Sequence, residues 1–167
     1  MENPLKSRFR WIPIVLLTLS VALFVGCGKK TAVRETLTPP PAKLHIDVIA
    51  AADSNLGPGG KPLPVVVRIY ELKGQGVFTT ADFFALYDKD AEVLGSELIA
   101  RDEVTLAPGQ SLPIERPLKP DATYLGVVAA FRDIDRAHWR EPLRLRPGVD
   151  NRVEIRVGAR AVSIRHE

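Results

Sequence analysis

The 167-residue chain has one cysteine, Cys27, and its setting says more than its reactivity. Lys6, Arg8 and Arg10 come first, then an uncharged apolar run over residues 11–25, then Gly26 directly before the sulfur. That is the layout of a secretory signal peptide with a cysteine where cleavage is expected. The run is short of the roughly 20 residues a helix needs to span a bilayer, and Pro13 weakens a spanning helix further. Gly57-Pro58-Gly59-Gly60-Lys61 has the look of a phosphate loop, but Asn55 stands where that motif needs glycine and Pro62 where it needs Ser or Thr. Asp88 and Asp90 are separated by Lys89, which reads as a solvated turn and not a calcium loop. His45, His138 and His166 lie in unrelated contexts, and His138 near Asp135 has no nucleophile beside it. Neither Gly-x-Ser-x-Gly nor His-Glu-x-x-His occurs. These residues predict no catalytic centre and no metal site.

Phe24-Val25-Gly26-Cys27 resembles a bacterial lipobox, whose cysteine is lipidated and becomes the first residue of the mature protein. The resemblance implies a covalent diacylglycerol and an N-acyl lipid on Cys27, with no other cofactor. Gly28 rather than Asp follows the cysteine, which by similarity to known sorting rules implies passage to the outer membrane.

The remaining chain must carry and present whatever is anchored there. We read residues 1–26 as the signal peptide, 27–43 as the acylated cysteine with a flexible Pro-rich tether, and 44–167 as one domain. The tether contains Pro39-Pro40-Pro41 and no apolar period, which favours stiff polyproline II. Its 16 residues after the cysteine reach roughly 50 Å at about 3.3 Å each. A pI near 9.2 is misleading, because the signal segment carries three of the basic residues against Glu2. From Cys27 on, 20 basic residues face 19 acidic ones, which argues against a nucleic-acid binder. With its single cysteine acylated, the domain must hold by packing alone.

Period-two alternation predicts strands over 43–51, 64–72, 97–106, 111–118, 123–132, 143–145, 152–157 and 160–164. Residues 64–72 and 123–132 are β-branched and apolar enough for central strands, and Pro113 predicts that 111–118 lies at an edge. Between the second and third strands the period changes. Phe83, Phe84, Leu86 and Tyr87 pair at i, i+3 and i, i+4, predicting one short helix over 80–87 capped by Thr79 or Thr80, to which residues 91–95 could add a helical turn. Seven or eight short strands with turns about every ten residues read as a mainly β, two-sheet sandwich.

Two segments are candidate surfaces for a partner. The loop 52–62 presents Leu56 among turn residues. The segment 133–141 alternates charge around Ile134 and Trp139. It reads as a salt-bridged turn with Trp139 folded onto the sandwich. The alternative is a contact patch of Asp135, Arg136 and Trp139, anchored by the Trp and Arg types that dominate hot spots. The last 28 residues are arginine-rich, read as a solvated sheet face, with an acidic partner or anionic headgroups as the alternative.

The blocks Pro64-Val65-Val66-Val67-Arg68-Ile69-Tyr70-Glu71-Leu72-Lys73, Phe78, Ala81-Asp82-Phe83-Phe84-Ala85-Leu86-Tyr87, Leu106-Ala107-Pro108-Gly109, Gly126-Val127-Val128-Ala129-Ala130-Phe131-Arg132-Asp133-Ile134-Asp135 and Trp139-Arg140 together resemble the type VI secretion lipoprotein family, TssJ (also SciN or VasD). The resemblance implies a transthyretin-like sandwich with an added helix, and an outer-membrane lipoprotein facing the periplasm. It implies binding to the periplasmic C-terminal region of TssM, with TssL further inward. The first interstrand loop takes part in that contact in relatives, which assigns the role here to Asp53, Asn55, Leu56 and Lys61. The competing function is a periplasmic lipoprotein that carries a small ligand, which would need a deep apolar cavity.

Overall fold

The structure, a computed structural model, describes residues 41–167. The signal peptide, Cys27 and the tether up to residue 40 lie outside the described residues.

Eight strands form two four-stranded sheets. In chain order they are β1 (Lys43–Ala50), β2 (Val65–Leu72), β3 (Leu98–Leu106), β4 (Ser111–Pro117), β5 (Tyr124–Ala130), β6 (Arg140–Arg144), β7 (Asn151–Val157) and β8 (Val162–His166). One sheet has the order β4-β1-β7-β8 and the other β3-β2-β5-β6. Neighbours are antiparallel except β1 and β7, which run parallel with Ile46 opposite Val153. The proline-bearing β4 is an edge strand, and β2 and β5 lie inside their sheet, as their compositions predict.

Alternation decides which face each strand buries. Leu44, Ile46 and Val48 of β1 and Val153, Ile155 and Val157 of β7 point into the sandwich. They meet Val65, Val67 and Ile69 of β2 and Leu125, Val127 and Ala129 of β5. Each large aliphatic side chain buried this way contributes about 1.5–3 kcal/mol.

A second apolar layer covers the outer face of the other sheet, and here the predicted single helix is corrected. The chain between β2 and β3 forms three short helices, α1 (Gly76–Thr80), α2 (Phe83–Asp88) and α3 (Asp90–Leu94). The break falls at Asp82, whose extended backbone and side chain cap α2 by accepting from the Ala85 N–H. Thr79 and Thr80 do not cap. Their hydroxyls bond back to the Gly76 carbonyl. Phe78, Leu86 and Leu94 from the helices pack on Tyr70, Leu72 and Val128 of the sheet. Gly126 is required beneath them, since a Cβ there would lie 2.8 Å from the Phe78 ring.

The pair Asp88 and Asp90, expected in a solvated turn, divides. Asp88 is exposed, but Asp90 is buried and accepts from Arg101 at 2.7 Å and the Tyr70 hydroxyl at 3.2 Å. Burial by itself would raise the Asp90 carboxyl, yet Arg101, the Ala91 N–H and Tyr70 together hold it below the ordinary carboxylate range. Burial and the neighbouring Asp90 charge push the Tyr70 phenol up to about 12.

Candidate functional site

The connection from β1 to β2 is built more tightly than its glycine content suggests. Gly57 and Lys61 close a small tip, the Gly57 N–H donating to the Lys61 carbonyl at 2.9 Å. Gly59 and Gly60 within it have φ of 72° and 75°, a region that costs most side chains too much. The glycines therefore serve a tight turn.

At the base of the tip the backbone N–H groups of Asn55 and Leu56 donate to the carbonyls of Gly158 and Ala159, both at 3.1 Å. This ties the loop to the turn between β7 and β8. The Asn55 side chain, only 5% exposed, accepts from the Arg132 N–H at 2.7 Å and donates to the Pro64 carbonyl at 2.7 Å. Asn55, expected as an exposed loop residue, is instead buried, with its amide used inside the loop. Ser54 beside it is fully buried, while the other loop residues expected to make contact stay at the surface. Asp53 and Lys61 are exposed, and Leu56 is half-buried.

Three connections thus meet at one end of the sandwich and enclose an open cleft of about 590 Å3. Leu56 and the tip residues 57–60 form one wall, and Arg132, Asp133, Arg136 and Arg160 the other. The Asp133 carboxylate lies 3.9 Å from Arg136 and 3.4 Å from Arg160. Arg136 sits with Asp135 on a 3-10 turn (Ile134–Arg136), and both are exposed. The two segments read separately as partner surfaces therefore supply opposite walls of one cleft, through Leu56 and Arg136.

Trp139 does not join them. Its ring packs edge-on to Phe83 at 5.2 Å, and the Arg140 guanidinium lies 4.5 Å over it. The tryptophan fills the seam between the sandwich and the helices, folded onto the sandwich as the first of the two readings expects, and it stays half-buried. Arg140 donates to the carbonyls of Phe78 and Ala81, and burial pulls its guanidinium below the ordinary value. The His138 ring lies 2.5 Å from Glu141, not beside Asp135. Arg132, Asp133 and Arg160 were not singled out as cleft residues. Arg160 belongs to the arginine-rich C-terminal stretch, far along the chain from the loop it faces, and no local pattern places it at the cleft.

The cleft lining offers cations, one carboxylate and peptide groups, and no Ser, Thr, Cys or His. Among the described residues no three His, Cys, Asp or Glu side chains gather in a way that would hold a metal ion. The arrangement suits recognition of another molecule by shape and charge. Fold and site together define a β-sandwich that presents one loop-built end.

The family profile described as type VI secretion lipoprotein, VasD, EvfM, TssJ, VC_A0113 matches residues 42–160. The chain belongs to this type VI secretion lipoprotein family. Solved structures agree. The type VI lipoprotein TssJ1 from Pseudomonas aeruginosa is 39% identical, with a TM-score of 0.74 over 77% of this chain and 98% of that one. Lip from Serratia marcescens, a membrane-bound component of the type VI secretion system, is 27% identical, with a TM-score of 0.69 over 76% and 98%. A chain in a structure of the TssM C-terminal domain from EAEC is 34% identical, with a TM-score of 0.61 over 74% and 97%. A search of curated protein sequences finds no match.

Proposed function

We propose that this protein is an outer-membrane lipoprotein of a type VI secretion membrane complex, anchored by lipid on Cys27. It fastens the trans-envelope assembly by binding the periplasmic C-terminal region of TssM, which connects inward to TssL. The observation that carries the reading is the likeness to a chain solved in a structure of the TssM C-terminal domain. Family membership and the loop-built cleft support it.

The mechanism is mechanical. Each buried methylene of a lipid chain contributes about 0.8 kcal/mol, and two or more chains hold a protein stably in a membrane. The tether sets the reach, and the sandwich presents its loops to a partner rooted in the other membrane. No bond is made or broken. The competing role of small-ligand carrier finds less support, because the space between the sheets is filled by side chains and the cleft is open and lined with arginine.

The test is Cys27→Ser. The variant should remain folded and bind the TssM region while no longer fractionating with outer membrane. A variant that stays membrane-bound would show that the lipid is not the anchor.

A further inference from the structure

The cleft holds a local excess of positive charge. Arg132, Arg136 and Arg160 line it against the single carboxylate of Asp133. Outside the cleft four arginines meet a carboxylate at hydrogen-bond distance, while Arg140, Arg144, Arg146 and Arg152 have no carboxylate within salt-bridge distance among the described residues. Arg68 meets Glu103 at 2.6 Å, Arg101 meets Asp90 at 2.7 Å, Arg116 meets Glu71 at 2.8 Å and Arg165 meets Glu154 at 2.7 Å. On the outer face of the first sheet, Glu154 and Glu115 answer Arg156, Arg165 and Lys43. In the cleft the two contacts to Asp133 exceed good hydrogen-bond length. Arg132 has no acidic partner among the described residues.

We propose that this cleft is the seat of an acidic peptide segment of the partner, whose carboxylates are gripped by Arg132, Arg136 and Arg160. The inference rests on the partner-binding reading above and names the chemistry that the partner brings. Guanidinium forks suit carboxylates in a bidentate geometry, and these three are only loosely held by Asp133. The volume falls in the roughly 300–1,000 Å3 range of sites that enclose a small ligand, enough for a few residues of chain. Leu56 adds an apolar contact on the facing wall, so the segment should combine acidic and apolar side chains. The backbone of Arg132 is fixed by Asn55, and the Arg160 turn is tied to the loop, so the cations are presented on a rigid frame. A concave site of this kind fits an inserted chain better than a flat layer of anionic headgroups.

The experiment measures binding of the TssM periplasmic region to the purified protein in detergent, at low and high salt. It compares wild type, Arg136→Glu, and the double variant Arg136→Glu with Arg160→Glu. Binding to anionic phospholipid vesicles is measured in parallel. The double variant should bind TssM at least about tenfold more weakly and with a flatter salt dependence. Reversing an acidic residue of TssM to Arg should restore part of the loss. Arg136 is 77% exposed, so its single variant keeps the wild-type melting temperature and should show part of the weakening. If wild type binds TssM and the double variant binds equally well, the acidic-segment inference falls while the partnership stands. If wild type itself does not bind TssM, the partnership falls and the inference with it. If the substitutions abolish vesicle binding and leave TssM binding intact, the cleft is a headgroup site and the inference is overturned.

Discussion

Asn55 shows how one buried residue can shape a surface loop from within. Among the described residues it is the one non-glycine residue at positive φ, 51°, and one of the few types that tolerate that region. Its amide joins the exit of β5 to the start of β2, and its N–H reaches the β7–β8 turn. Asn55→Ala would strand the Arg132 N–H and the Pro64 carbonyl and leave a Cβ residue in the left-handed region. We expect a loss of about 2–3 kcal/mol in stability, read from urea unfolding, and weaker partner binding as the cleft wall loosens. An unchanged unfolding midpoint would show that the loop is held by other contacts. Leu56, Arg136 and Arg160 are the better probes of direct contact, because their side chains are not needed to form the loop.

At the scale of elements, the three helices between β2 and β3 are held as much by charge as by burial. Asp90 at the start of α3 binds Arg101 of β3 and Tyr70 of β2. Arg68 of β2 lies 3.9 Å over the Tyr87 ring and donates to the Tyr87 carbonyl at the end of α2. Because the folded protein holds the Asp90 carboxyl below its ordinary value of 3.8, its contribution is fully present above that value. It is lost as pH falls through the depressed one. Asp90→Asn should therefore cost about 1.5–3 kcal/mol near neutral pH, and its difference from wild type should shrink below about pH 4. Urea midpoints measured across that range check this. A difference independent of pH would mean that the carboxylate charge is not what matters.

At the scale of the whole molecule, the sandwich has two flanks and closes them differently. On one flank, backbone bonds stitch the sheets together: the His138 N–H donates to the Arg160 carbonyl at 2.8 Å, and the Val162 N–H to the His138 carbonyl at 2.9 Å. On the other, Arg116 of β4 crosses to Glu71 of β2 at 2.8 Å and also meets Asp102 of β3. Glu71 is fully buried, with the Lys119 N–H as its other partner. Arg116→Met should cost about 3 kcal/mol or more, because it leaves a buried charge underpaired. Lys43→Ala, which breaks an exposed pair with Glu115, should leave the melting temperature unchanged. Equal effects of the two substitutions in thermal melts would refute the distinction. The described residues contain no cysteine, so packing and such pairs carry the stability of the sandwich.

The amino-acid sequence by itself determined the strands, because alternation of side chains is a local property that each segment carries. It determined the edge position of β4 through Pro113, and its spaced blocks carried the resemblance to the family the chain belongs to. Even the period change at Phe83 was legible, although the division into three helices was not, because Asp82 could be read as a helix residue or as a cap. Tertiary structure alone decided that Asp90 and Asn55 turn inward, and that Arg132, Arg136 and Arg160 converge on Leu56. The physical reason is that burial and charge pairing depend on which distant segments the folded sheets bring together. Arg160 faces the first loop because β7 pairs with β1 and carries its turn to the same end of the sandwich.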